Sequence, residues 1–275
     1  MTTAKTIHVA AIATLSIGCP MVQAEPLPLW EAGVGAAAIS FPDYRGSAKR
    51  RDYLLPVPVF VYRGEFLQAD RERVRGLLFK SDTTEIDLSI NGSVPIRSSD
   101  NNARQGMPDL DPTLEIGPSL NVKLFETAAS RLTLRLPARA VIASDFRSVQ
   151  SVGLLANPNL NLDVRASAGW RLGLVAGALV ADRKYHDYFY GVAPEYARDG
   201  RPAYKAPGGY SGTQFVAALS RRFEPLWVAG FIKYDVLRGA AFEPSPLVEK
   251  RTSVAAGIAV TWVFAKSATV VDRKE

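Results

Sequence analysis

The chain has 275 residues, of which 47% are hydrophobic and 22% charged, and its formal net charge is +6. With an export signal set aside, about 250 residues remain, enough for one large domain or two small ones. The basic residues are dispersed rather than interleaved with aromatics in a block, which argues against nucleic acid, and Cys19 is the only cysteine, so a disulfide or thiolate metal site is excluded.

Lys5 gives a short positive segment, Ile7 to Ile17 is mostly apolar, and Val22-Gln23-Ala24 supplies small residues before Glu25. This is the three-part pattern of a secretory signal peptide, over residues 1–24. The apolar run of about 11 residues is too short for an anchor, since a bilayer takes about 20. Ser16-Ile17-Gly18-Cys19 is a poor lipoprotein site, because Ser16 stands where an aliphatic residue is usual.

After Pro26 and Pro28 the dominant period is two. Leu132, Leu134, Leu136, Ala138 and Ala140 alternate with Arg131, Thr133, Arg135, Pro137 and Arg139, so a strand here is apolar on one face and basic on the other. Ile86, Leu88 and Ile90 alternate with Glu85, Asp87, Ser89 and Asn91, and Leu160, Leu162 and Val164 with Asn159, Asn161, Asp163 and Arg165. Near the end Val254, Ala256, Ile258, Val260, Trp262 and Phe264 share a face. Twelve strands are predicted, with ten as the alternative count: 30–40, 54–63, 64–70, 73–80, 83–92, 113–125, 131–143, 150–165, 168–181, 210–222, 226–237 and 251–264. Most have the length of tilted membrane strands, about 9 to 11 residues or more, rather than the about 5 to 6 of globular ones.

The long gaps are 41–53, 93–112, 182–209 and 238–250, and all of them are odd-numbered connections. The even-numbered ones are short turns. Outer-membrane barrels have short periplasmic turns and long external loops. Beyond the signal no apolar run is long enough for a membrane helix, and only helices or closed barrels satisfy their backbone in hydrocarbon. The expected fold is therefore all-β: a closed antiparallel up-and-down transmembrane β-barrel over 25–264, in the outer membrane of a Gram-negative cell. Residues 265–275 read as a periplasmic polar tail.

Chemistry is sparse. His186 is the one histidine after the signal, no Gly-x-Ser-x-Gly elbow occurs, and a second strong nitrogen or sulfur ligand for zinc is lacking, so neither a catalytic site, a metal nor a cofactor is expected. Asp109 and Asp111, with Glu115 beyond, suggest a cation or lipopolysaccharide bridge, but Pro108 and Pro112 make a rigid loop the plainer reading. Tyr185, Tyr188, Tyr190, Tyr196, Tyr204 and Tyr210 are read as an interfacial girdle on an ordered loop, with a ligand platform as the alternative. Gly33, Gly35, Gly173, Gly177 and Gly257 inside strands leave room for a close neighbour.

Several stretches occur together in a familiar order: Trp30-Glu31-Ala32-Gly33-Val34-Gly35, Phe41-Pro42-Asp43-Tyr44-Arg45-Gly46-Ser47, Pro56-Val57-Pro58, Gly106-Met107-Pro108-Asp109-Leu110-Asp111-Pro112, Tyr188-Phe189-Tyr190-Gly191-Val192, Gly200-Arg201-Pro202-Ala203-Tyr204 and Gly239-Ala240-Ala241-Phe242. From Trp30 to Phe264 the set resembles the MipA/OmpV family of MltA-interacting outer-membrane proteins. The resemblance implies a barrel without catalytic residues that scaffolds a lytic transglycosylase and a penicillin-binding murein synthase, in contact with outer-membrane lipid and lipopolysaccharide. A small-solute pore, or a surface protein for adhesion or stress adaptation, is the alternative. Candidate interaction residues are Asp43, Tyr44, Arg45, Asp109, Asp111, Tyr188, Tyr190 and Tyr204. The long loops would face away from murein, unless they fold into the lumen.

Overall fold

The computed structural model describes residues 26–64, 67–69, 74–145 and 147–272, so the expected signal segment 1–24 lies outside the described residues. The strands are β1 (Pro26–Pro28), β2 (Trp30–Pro42), β3 (Arg50–Arg63), β4 (Leu67–Ala69), β5 (Val74–Lys80), β6 (Thr84–Gly92), β7 (Thr113–Glu126), β8 (Ser130–Ser144), β9 (Val149–Ala156), β10 (Asn159–Arg165), β11 (Trp170–Ala181), β12 (Gly209–Phe223), β13 (Leu226–Val236), β14 (Thr252–Lys266) and β15 (Val270–Asp272). One helix of eight residues, α1 (Arg183–Tyr190), follows β11. Among the described residues no helix is long and apolar enough to cross a membrane.

All pairings are antiparallel, and consecutive strands from β2 to β14 are neighbours except β9 and β10, which do not pair with each other. The predicted strand 150–165 is one strand broken at Asn157-Pro158 into β9 and β10, because a proline has no N–H for the ladder. Asn157 bridges the break, its Nδ2 donating to Ala178 O at 2.8 Å. Counting the two pieces as one and leaving aside β1 and β15, the sheet has twelve strands, as expected. β8 pairs with both β9 and β10, and β11 pairs with both as well. β14 also pairs with β2, from Ala256↔Ser40 to Lys266↔Glu31.

The two faces of this sheet invert the order of a soluble protein. The face carrying Leu54, Phe60, Leu136, Leu154, Ile258 and Trp262 is exposed, with Leu54 at 79% and Ile258 at 66%. The face carrying Glu31, Arg63, Asp87, Asn121, Thr133, Asn159 and Asn161 is buried. There Glu31 receives Arg63 Nη2 at 2.9 Å and Arg222 Nη1 at 3.1 Å, and Asn121 donates to Asp87 at 3.0 Å. Arg139 sits between Ser89 and Glu115. Buried polar groups are thus paired with one another, as desolvation requires.

Aromatic side chains gather at the short-turn end of the exposed face. Trp30 stacks on Phe60 at 6.4 Å, Phe60 on Tyr62 at 6.5 Å, and Trp262 lies against Phe264 at 5.9 Å. Trp170 meets Phe223 edge-on at 6.4 Å, with the Arg221 guanidinium 4.4 Å from the Phe223 ring. Phe79 and Phe125 continue the band on neighbouring strands.

Several boundaries differ from expectation. β3 starts at Arg50 rather than 54: hydrogen bonding to β2 continues through Arg50-Arg51-Asp52 although the apolar alternation has stopped. The segment 265–275 is not simply a polar tail. β14 runs to Lys266, and Val270–Asp272 pairs with Pro26–Pro28 in a two-stranded ribbon. Ser267 Oγ accepts from Leu29 N at 2.9 Å, which ties the two ends of the described chain together. Gly33, Gly35 and Gly177 do sit where a neighbouring backbone comes close; a Cβ at Gly35 would lie 2.1 Å from Val260 O. Gly257 instead leaves space for the Phe231 ring, and nothing crowds Gly173 closer than 3.8 Å.

On one side β3 is nearly unpaired. Among the described residues it meets β4 only at Tyr62↔Ala69 and Arg63↔Gln68. Ala69 is paired in turn with Val74 of β5. The run 50–61 is about 36 Å long at strand rise. Among the described residues that run is paired with β2 on one side and with no strand on the other.

Candidate functional site

The long connections 43–49, 93–112, 182–208 and 237–251 all leave the same end of the sheet and fold together over it as a cap. Their apolar residues have little to bury within one loop, so they bury one another. Tyr44, Ile96, Leu110, Tyr190, Val192, Leu237, Phe242 and Leu247 form one buried cluster. At its centre Tyr190 stacks on Phe242, ring centroids 3.6 Å apart and 5° from parallel, and Tyr44 meets Tyr190 edge-on at 6.1 Å. α1 is preceded by Asp182, whose side chain accepts from Tyr185 N at 2.8 Å as an N-cap. It lays Tyr185, Tyr188 and Phe189 against Val141, Val152, Leu155 and Leu179 of the sheet.

Two buried arginines staple the cap from inside. Arg201 donates to Tyr196 O, Ala103 O and Gln105 O at 2.7 to 3.1 Å, and Arg104 to Phe189 O at 3.1 Å and Pro108 O at 3.2 Å. Desolvation holds both guanidinium groups below their ordinary pKa, Arg201 also through its neighbour Arg198. The guanidinium forks satisfy loop carbonyls that no strand reaches.

Polar contacts join cap to sheet. Arg45 Nε meets Asp235 Oδ1 of β13 at 3.0 Å. Asp43 is buried between Arg51 Nε at 2.6 Å and Asn101 Nδ2 at 2.8 Å, and Arg51 also reaches Asp100 at 3.3 Å. Tyr44 OH donates to Leu247 O at 2.9 Å and Tyr190 OH to Arg45 O at 3.0 Å. Burial pushes the phenols of Tyr44, Tyr188, Tyr190 and Tyr204 above their ordinary pKa.

His186 Nε2 lies 2.5 Å from Ser211 Oγ, and its Nδ1 lies 2.6 Å from Pro207 O. A serine beside a histidine invites comparison with a nucleophile and its base. Here the orienting group is a backbone carbonyl rather than a carboxylate, and His186 and Ser211 are 0% and 1% exposed. The pair is closed off from solvent and fastens α1 to β12. Burial also lowers the His186 pKa, which keeps the ring neutral.

The structure thus brings Asp43, Tyr44, Arg45, Tyr188 and Tyr190 into one cap. It does not make a cation site of Asp109 and Asp111. Asp109 accepts from Ser98 N at 2.7 Å, Asp111 N donates to Tyr188 OH at 2.9 Å, and no cluster of three metal-ligating residues exists among the described residues. Tyr204 stands at the edge of the apolar cluster, its backbone bridged to Val192. The tyrosines of 185–204 form no girdle, since they are drawn into the cap; the aromatic band belongs to Trp30, Phe60, Trp262 and their neighbours instead. The sequence reading missed Arg104, Asn101, Arg201, Phe242 and Leu247 as cap residues. Irregular loop spacing carries no period that would have marked them.

The family described as MltA-interacting protein MipA matches the chain over residues 34–264. No curated protein matches it in sequence. Among solved structures, the NanC porin is similar at 8% identity and a TM-score of 0.37, covering 84% of this chain and 98% of that one. A bacterial polysaccharide outer membrane secretin is similar at 7% identity and a TM-score of 0.43, covering 86% and 99%. Outer membrane phospholipase A from Escherichia coli is similar at 8% identity and a TM-score of 0.33, covering 83% and 92%.

Proposed function

Because this chain belongs to the MipA family of MltA-interacting proteins, we propose that it is a non-enzymatic outer-membrane β-barrel that scaffolds enzymes cleaving and building murein. The sheet closes on itself. Supporting this, each of the twelve strands has a hydrogen-bonded neighbour on both sides, through β14–β2 at one place and β8–β10 and β9–β11 at another. The exposed apolar face then meets lipid and the polar face lines a lumen. Exposed leucines and isoleucines would aggregate in water, and the aromatic band at one end is what a membrane interface selects.

The cap carries the functional reading. With Leu237, Leu247, Ala206 and His186 fully buried, the long loops plug one end of the barrel and leave no broad mouth there. That disfavours the small-solute pore. It also leaves the short-turn end, with the β1–β15 ribbon, as the surface open to periplasmic partners. A lytic transglycosylase of the MltA type and a penicillin-binding synthase are the partners the family name and this sidedness suggest.

The test is photo-crosslinking in cells. A crosslinker at Asp82, Ala128 or Glu224 of the short turns is expected to capture a murein enzyme, and one at Gln105 or Lys205 of the cap is not. Capture from the cap alone, or from neither end, overturns the proposal.

A further inference from the structure

The unpaired side of β3 is a feature that neither the cap nor scaffolding uses. Arg63 N donates to Leu29 O, so odd residues of β3 turn their backbone groups toward β2 and even residues toward the unpaired side. Pro56 and Pro58 are even. Each stands where an N–H would point at hydrocarbon without a partner, a loss worth several kcal/mol per group in lipid. A seam that zips up in the native state would want those donors; a permanent edge is better without them. The same prolines oppose strand addition by another protein.

The gap has a frame. The paired strands β4 and β5 bound it toward the short turns, and the Arg51–Asp100 pair bridges it at the cap. Behind it, the inner wall is apolar across four strands. Leu55 and Val57 of β3 flank Ala37 and Ile39 of β2, then Gly257 of β14, with Phe231 of β13 lying over that glycine. Leu55 is 41% exposed and Phe231 37%, although both are on the lumen face. Their outward neighbours Leu54 and Ile232 are exposed too, so empty space lies on both sides of the wall at this height. Across the lumen the wall is polar, with Asp87, Asn121, Arg139 and Asn161.

We propose that the gap beside β3 is a lateral portal, through which a single-chain amphiphile passes between the bilayer and a groove on the lumen wall lined by Leu55, Ile39 and Phe231. The alkyl chain lies on the apolar wall and the head group faces the polar one. An open aqueous lumen has no use for a contiguous apolar wall, and a sealed barrel has no use for prolines at two successive donor positions of a seam. The inference rests on the closed-barrel reading but not on the scaffold role.

The test uses the full mature chain in lipid nanodiscs with dansyl-undecanoic acid as probe. Saturable binding above that of empty discs is expected. Phe231→Asp and, separately, Gly257→Val are expected to weaken it by about tenfold or more, since one places a charge and the other a side chain in the groove. The only cysteine lies in the signal segment, so single cysteines are clean handles. A bulky maleimide on Leu55→Cys is expected to slow probe entry, whereas the same label on Leu54→Cys is not. No saturable component, or binding untouched by both groove variants, overturns the portal. Heat-modifiable migration on gels, read on the same samples, reports separately whether a barrel is present.

Discussion

Replacing Phe242 by alanine should open the cap without disturbing the wall. Phe242 is 1% exposed, stacks on Tyr190 at 3.6 Å and meets the His186 ring at 4.8 Å, so the change deletes the centre of the loop cluster. Such Phe→Ala changes in packed cores cost about 3 to 5 kcal/mol. Taking the lower value, the population of locally opened cap rises by about a hundredfold. The reporter is tryptic cleavage at the Arg104–Gln105 bond. Arg104 is buried, with its guanidinium on carbonyls of its own loop and of α1, so trypsin reaches it only when the cap opens. When closing outpaces cleavage, the cutting rate follows that population. The account predicts a rate about a hundredfold higher at Arg104, with unchanged heat-modifiable migration. An unchanged rate would refute the claim that the loops share one core.

Three further outcomes are expected. Arg201→Ala leaves Ala103 O, Gln105 O and Tyr196 O without their donor, and should cost the cap about 2 kcal/mol or more, read by the same cleavage. Ile258→Arg places a charge on the lipid face near mid-strand and should lower stability in vesicles by about 2 to 4 kcal/mol in urea unfolding, whereas Ala259→Ser on the lumen face should change little. The buried neutral His186 binds its proton less readily in the folded cap than when exposed, so the open form takes up more protons once pH falls below the ordinary histidine value of 6.5. Cap stability should therefore be flat above that pH and decline below it. Amide exchange over 183–208, corrected for intrinsic rates, checks this; His186→Gln should flatten the profile, and an equal decline in that variant would place the effect elsewhere.

The wall was legible in the sequence because a barrel strand has one face in lipid. Arg131 to Ala140 and Val254 to Phe264 alternate without interruption, and their faces lie where the period puts them. Legibility ends where hydrocarbon ends. At Arg50-Arg51-Asp52 hydrogen bonds hold the strand while side chains are free to be charged, so its start is four residues earlier than the predicted 54. The pairing of Pro26–Pro28 with Val270–Asp272 joins the two ends of the described chain, a contact no local pattern encodes. Tyr44, Tyr190 and Phe242 come from three different loops, and only the folded wall brings them together. Pro56 and Pro58 did carry a signal, since prolines inside a strand mark an edge, but a count of twelve alternating strands conceals that one of them is paired along so little of its length on one side.

The most direct measurement is the accessibility of nitroxide labels placed one at a time from Val254 to Val263 in bilayers. The account predicts strict alternation, with even positions reached by lipid-soluble oxygen and odd positions by a water-soluble nickel complex. Labels that respond alike on both faces, or that favour the nickel complex throughout, would contradict a wall standing between lipid and lumen.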